Sequence, residues 1–306
     1  MRVLFFGYSQ IGYRAVDLLV RRGDDVAGVV THRDDPEEER WYKTPAEAAA
    51  ASGLTIHYGE EMSRDELAGL AERIAPDLVL SVFYRSMLPA RVLAAARLAA
   101  LNLHPSLLPA YRGRAPLNWV LVNGERETGV TLHHMVGRAD AGDIVAQRAL
   151  PIAPRETALT LYEKIEQAGI ELLEQALPLV AAGTAPRVPQ DESRASVVGR
   201  RRPEDGRIDW SWPAARIDCL VRAVAPPWPG AFGEVEGRRL AVYAGEPAEG
   251  FAGAPPPPGT VRREGGRLLV AAADRWFQVD AHADSNPPGG RAAGVAVSTP
   301  PALSRD

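Results

Sequence analysis

Asn102 and His104 stand two residues apart in the run Leu101-Asn102-Leu103-His104-Pro105. In an extended strand, alternate side chains share a face, so Asn102 and His104 point one way and Leu101 and Leu103 the other. An amide N–H can stabilise an oxygen that gains negative charge, and an imidazole can move a proton near neutral pH. Taken alone, the spacing also fits an ordinary strand end with two solvated polar residues. The loop that follows changes the balance. Pro109 and Tyr111-Arg112-Gly113-Arg114-Ala115-Pro116 form a rigid, basic stretch suited to an acidic ligand. Arg138-Ala139-Asp140-Ala141-Gly142-Asp143 then gives an acidic turn, which by itself also reads as a plain hairpin loop.

These residues have to be positioned by regular elements. Residues 2–7, 25–30, 54–56, 77–83 and 100–104 read as strands, and residues 11–22, a segment from Pro45, 63–74 and 88–98 as helices. Ser63 and Glu66 form a capping-box signature for the third of these helices. Strands alternating with helices imply an α/β fold with a doubly wound, Rossmann-like parallel sheet. Pro105 ends the strand, so His104 falls at the carboxyl end of a central strand, where such sheets place ligands. Residues 128–136 and 144–152 read as two further strands and 158–180 as a long helix. This first domain is expected over 1–182 and a polar, Pro- and Arg-rich linker over 183–207. A small β-rich, barrel-like (OB-like) domain is expected over 208–306, with strands at 239–243, 267–271 and 276–279. Pro255 to Pro258 read as a loop inside it.

The 306 residues are too many for one ordinary domain and suit two. A hydrophobic share of 46% with 24% charged residues is that of a soluble protein with a sizeable core. A net charge of -4 argues against a broad nucleic-acid footprint. Lys43 and Lys164 are the only lysines among 35 basic residues, a mark of GC-rich coding more than of function. Cys219 stands alone, so no disulfide framework or cysteine metal cage can be built. His32, His57, His104, His133, His134 and His282 show no metal-ligand spacing, and no metal is expected. His133 and His134, adjacent in a strand, face opposite sides and read as structural. The apolar run at the N-terminus is too short for a signal peptide, and no stretch approaches membrane-spanning length. A cytoplasmic protein without membrane insertion is expected.

Asn102-x-His104, Ser106-Leu107-Leu108-Pro109 and Asp140 in an Asp-x-Gly turn together resemble the formyltetrahydrofolate-dependent formyltransferase family. The resemblance covers essentially the whole chain and is densest from Phe83 to Ile152. It implies an enzyme that moves the formyl group of 10-formyltetrahydrofolate to an amine, with Asn102, His104 and Asp140 as the catalytic set. Asn102 would donate to the developing oxyanion, His104 would share that role and shuttle a proton toward the folate nitrogen, and Asp140 would favour the imidazolium and raise its pKa. Folate contacts are implied at Ser86, Met87, Leu88 and Arg114, and along Val136, Gly137, Arg138, Ala139 and Asp140.

Residues 111–133, with Phe83-Tyr84-Arg85, Thr31-His32, Gly199-Arg200-Arg201 and Trp228-Pro229-Gly230-Ala231-Phe232, resemble one branch in particular. That branch comprises the formyltransferase domains of bifunctional polymyxin-resistance enzymes, which N-formylate UDP-4-amino-4-deoxy-L-arabinose for lipid A modification. A UDP-amino sugar is thus the implied partner, with Asn118 and Arg201 as substrate-binding candidates. Arg200 to Arg202 also read as a solvated charge run. Those enzymes carry a second, decarboxylating domain. This sequence ends at Asp306, about where that domain starts, which leaves a stand-alone formyltransferase or a piece of the longer enzyme. Pro105 departs from the Gly frequent there in that branch, and the last ~50 residues match poorly. Methionyl-tRNA formyltransferase is the alternative, but the loop His32 to Arg40, with Asp34, Asp35, Glu37, Glu38 and Glu39, is net acidic and would repel tRNA phosphates. A folate- or sugar-binding module without catalysis is the alternative of another class. The oligomeric state is not implied.

Overall fold

A computed structural model of the chain describes residues 1–34, 40–251 and 253–284. In chain order the elements are β1 (Arg2–Gly7), α1 (Ser9–Arg21), β2 (Asp25–Thr31), α2 (Pro45–Ala51), β3 (Ile56–Tyr58), α3 (Arg64–Ile74), β4 (Leu78–Val82), α4 (Ala90–Ala94), β5 (Ala99–His104), β6 (Arg112–Gly113), α5 (Pro116–Val122), β7 (Glu127–His134), β8 (Ile144–Pro151), α6 (Ala158–Ala181), β9 (Val197–Val198), α7 (Ala214–Ala223), β10 (Ala231–Val235), β11 (Arg238–Pro247), β12 (Val261–Glu264), β13 (Arg267–Ala271) and β14 (Trp276–Asp284). They fall into two compact units. One contains residues 1–117, 127–152 and 162–199; the other contains 118–126, 153–161 and 200–306.

The first unit is built on a seven-stranded sheet of order β3-β2-β1-β4-β5-β7-β8. Both faces are covered, which is why its inner strands are continuous apolar runs. Along β1, Val3 and Phe5 enter a core with Ile11, Ala15 and Leu19 of α1 and Leu173 and Leu177 of α6. Leu4 and Phe6 enter a second core with Leu67, Leu70 and Ala71 of α3 and Val92 of α4. The Ser63–Glu66 capping box closes in both directions, with Glu66 N–H donating to Ser63 Oγ at 3.2 Å and Ser63 N–H to Glu66 Oε2 at 2.8 Å.

The sheet is mixed rather than wholly parallel. β1 to β5 run parallel, and β5 to β7 and β7 to β8 pair antiparallel. Apolar periodicity marks a strand but carries no information on its direction. α4 is shorter than the expected 88–98, because the N–H groups of Arg97 and Leu98 turn back to the carbonyls of Pro76 and Asp77 and lead into β5. Residues 183–199, within the stretch expected as a linker, belong to the first unit, where β9 pairs with β6.

The second unit holds a five-stranded antiparallel sheet of order β10-β11-β14-β13-β12. Its core includes Trp210, Ile217, Leu220, Val242, Leu269 and Phe277. Arg263 on β12 pairs with Glu236, in the turn after β10, at 3.3 Å, which draws the two sheet margins together. The β-rich second domain is thus present as one antiparallel sheet. The acidic-loop residues Asp35 to Glu39 and the last 22 residues, 285–306, lie outside the described residues.

Candidate active site

Asn102 and His104 share one face of β5, and β7 runs beside it with His133 paired to Asn102 and Thr131 to His104. Asp140 lies in the loop from β7 to β8 and reaches back to both. Its Oδ1 accepts from Asn102 Nδ2 at 3.3 Å, and its Oδ2 lies 3.6 Å from His104 Nδ1 and accepts the Gly113 N–H at 2.8 Å. Asp140 holds a left-handed backbone with φ 52, a region that a non-glycine residue keeps only when its surroundings fix it.

His104 is buried, and its Nε2 donates to the Tyr111 carbonyl at 2.8 Å. Burial pushes its pKa below the ordinary value, outweighing the upward pull of the Asp140 charge and the Tyr111 carbonyl. This corrects the expectation of a raised pKa: a ring removed from water loses more by carrying charge than one neighbouring carboxylate returns. Burial by itself would raise the Asp140 carboxyl, but the Gly113 N–H, together with the pull of His104 and His133 when those rings are protonated, holds it down at about 2. The Gly113 and Asn102 donors persist when His104 is neutral, so Asp140 is ionised at neutral pH.

His133 belongs to the site, against its reading as structural. Its Nδ1 donates to the His134 carbonyl at 2.8 Å, which leaves Nε2 to accept from Asn102 Nδ2 at 3.1 Å. Opposite facing of His133 and His134 was legible; that one of those faces was the site face depended on the β5–β7 register. The Asn102 amide therefore donates to both His133 and Asp140 in this state.

The other expected residues fall in two places. Ser86, Met87 and Leu88 follow β4, Arg114 follows β6, and Val136, Gly137, Arg138 and Ala139 precede Asp140, all in the first unit. Arg114 donates to the Arg85 carbonyl at 2.7 Å, tying two of these loops. Met87 and Val136 are 52% and 42% exposed, large apolar side chains left uncovered on those loops. Asn118 and Arg201 are in the second unit. Asn118 is buried and donates to the Ala223 carbonyl at 2.7 Å. Arg201 lies 4.7 Å over the Trp119 ring and donates to the Asp205 carbonyl. Among the described residues no three His, Cys, Asp or Glu side chains gather as a metal site, and no helix is long and apolar enough to cross a membrane.

Residues 1–177 match the formyl transferase family, and residues 201–288 match the formyl transferase C-terminal domain. The chain belongs to the formyl transferase family. Solved structures of similar fold include WlaRD, a sugar 3N-formyl transferase, 16% identical with a TM-score of 0.71 over 91% of this chain and 96% of that one. An N-formyltransferase from Helicobacter canadensis is 17% identical with a TM-score of 0.71 over 91% and 98%. HypX from Aquifex aeolicus is 22% identical with a TM-score of 0.65, over 94% of this chain; this chain spans only 44% of HypX. As a formyl transferase, the chain presents Asn102, His104 and Asp140 as one cluster at the carboxyl end of β5.

Proposed function

We propose that this formyl transferase moves the formyl group of 10-formyltetrahydrofolate to the amine of a nucleotide-linked amino sugar, with UDP-4-amino-4-deoxy-L-arabinose as the acceptor and lipid A modification as the use. The convergence of Asn102, His104 and Asp140 carries this reading. The acceptor class is supported by the solved structures of similar fold. WlaRD is described with dTDP and 5-N-formyl-THF, and the Helicobacter canadensis enzyme with folinic acid and dTDP-3-aminofucose.

The folate supplies a formyl carbon open to attack by an amine. Exposed Met87 and Val136 offer apolar surface for its ring system, and Arg114 and Arg138 offer charge for its carboxylates. Asn102 faces the formyl oxygen as it gains charge, trading its 3.3 Å bond to Asp140 for that stronger acceptor. His104, neutral at rest, takes up the amine's proton as the new C–N bond forms. The imidazolium then finds an acceptor on each side, Tyr111 O and Asp140. It passes the proton to N10 of the folate as the formyl C–N10 bond breaks, which releases tetrahydrofolate and leaves His104 neutral again. Arg201 and Asn118 remain the candidates for the nucleotide.

The test is incubation with 10-formyltetrahydrofolate and a panel of nucleotide-linked amino sugars, reading tetrahydrofolate release and the mass of the N-formyl product. Turnover with UDP-4-amino-4-deoxy-L-arabinose is expected. Turnover with methionyl-tRNA alone would overturn the acceptor, and no turnover with any amine would leave a binding module.

A further inference from the structure

Residues 188–198 connect the two loops that build the site. At one end, Val188 and Ile144 exchange backbone hydrogen bonds at 2.8 and 3.0 Å, beside the Asp140 loop. At the other, Ser196 accepts the Tyr111 N–H on its Oγ at 2.8 Å and the Arg112 N–H on its carbonyl at 2.9 Å. Tyr111 is the residue whose carbonyl faces His104. Gln190 lies between these two attachments. Its Nε2 donates to the Asp140 carbonyl at 2.8 Å and the Gly142 carbonyl at 2.7 Å. Its Oε1 accepts from Arg112 Nε at 3.1 Å and from a terminal Arg112 nitrogen at 2.7 Å.

We infer that Gln190 is a positioning residue for formyl transfer, holding the Asp140 turn and the Arg112–Gly113 strand in register so that the Asp140 carboxylate meets both Asn102 and His104. The inference rests on the catalytic reading of those three residues. All four hydrogen-bonding positions of the Gln190 amide are used, and only one orientation serves them. Turned over, its oxygen would face two carbonyl oxygens and its NH2 would face a guanidinium. One carbonyl it holds belongs to the left-handed Asp140 itself and the other lies two residues further along the same turn. Arg112 is buried and is fixed on its other side by Glu192 at 2.8 Å, so the amide pulls against an anchored partner. Gln190 touches no reacting atom; it acts through Asp140.

Two substitutions separate the donor half of this amide from its acceptor half. Gln190→Glu keeps the size and the acceptor for Arg112, but sets a carboxylate against two carbonyl oxygens. Gln190→Ala removes both halves. For each variant, kcat, the KM for 10-formyltetrahydrofolate and the melting temperature are measured with whichever amine the wild type turns over, together with hydrogen exchange at the Gly113 amide. Gln190→Glu is expected to lose roughly 10- to 100-fold in kcat, since small misplacements of catalytic groups cost that much. Its KM is expected to stay within about threefold and its melting temperature near that of the wild type, while Gly113 exchanges about tenfold faster because its acceptor has moved. Wild-type kcat and Gly113 protection in Gln190→Glu would overturn the inference. So would losses in both variants that only follow the loss of folded protein. A wild type inactive on every amine would refute the proposed function, and Gly113 exchange would still decide the role of Gln190.

Discussion

Across the antiparallel seam of the sheet, Asn102 Nδ2 donates to His133 Nε2 at 3.1 Å, so the amide that faces the reaction is aimed by the neighbouring strand. His133 is in turn fixed by its bond to the His134 carbonyl at 2.8 Å, which selects the tautomer able to accept.

His133→Phe keeps the ring but removes that acceptor. A fall of about tenfold in kcat is expected, the range of a general orientation loss well below that of a missing catalytic group. Steady-state kinetics against the wild type check it; an unchanged kcat would show that Asn102 is aimed by Asp140 alone.

Asn102→Ala removes the proposed oxyanion donor. Loss of one such donor costs on the order of 10²–10³ in kcat. Because Asn102 is only half-buried, the melting temperature should move little. A kcat within fivefold of the wild type would remove Asn102 from the mechanism.

His32, His57, His104 and His134 all have pKa values pushed below the ordinary value, with burial the first cause in each case. Unfolding frees them to bind protons at about 6.5. Their neutral forms therefore stabilise the fold fully above that pH, and the contribution is lost as pH falls toward each folded-state value. The melting temperature is expected to drop from about pH 6.5 downward, and kcat/KM to fall only below the ordinary histidine value, where the buried His104 gains its proton. Differential scanning calorimetry across that range checks the first, and a melting temperature independent of pH would contradict it.

Gly113 has φ 103, and a Cβ there would lie 2.3 Å from the Val198 carbonyl oxygen. Gly113→Ala must therefore part β6 from β9 and shift the N–H that Asp140 accepts. A stability loss of about 2–4 kcal/mol is expected, measured by urea denaturation, accompanied by loss of formyl transfer. Retention of both would mean that the β6–β9 pair is dispensable.

Much of the first unit was legible in sequence because β1, β4 and β5 are buried on both faces and α3 carries its own capping box. α5 and α7 were not read, since each begins at or after a proline in a loop-like context, Pro116 and Pro213, and is short. Asn102, His104 and Asp140 were picked out by residue type, loop context and the family resemblance together, and the fold brings the three side chains close to one another. His133 and Gln190 were missed for different reasons. His133 enters the site through cross-strand register, which one strand's pattern does not contain. Gln190 sits among Pro186, Arg187, Val188 and Pro189, where no periodicity marks it, and its partners are 48 to 78 positions away. The direction of the His104 shift also escaped the sequence, because burial is a property of the packed ring and not of its neighbours in the chain.

The pairing of Tyr111 with Ser196 spans 85 positions and is among the last contacts of its unit that a growing chain can make. A ribosome translating this message releases Asn102, His104 and Asp140 well before the segment that fixes their spacing. Until residue 198 is clear of the exit tunnel, the charged Arg112 side chain lacks its hydrogen-bond partners Gln190 and Glu192 and the Tyr111 N–H lacks Ser196. Stalling or proteolysis within residues 183–198 would leave a nearly complete sheet whose Asp140 turn and Arg112 strand lack the segment that ties them together.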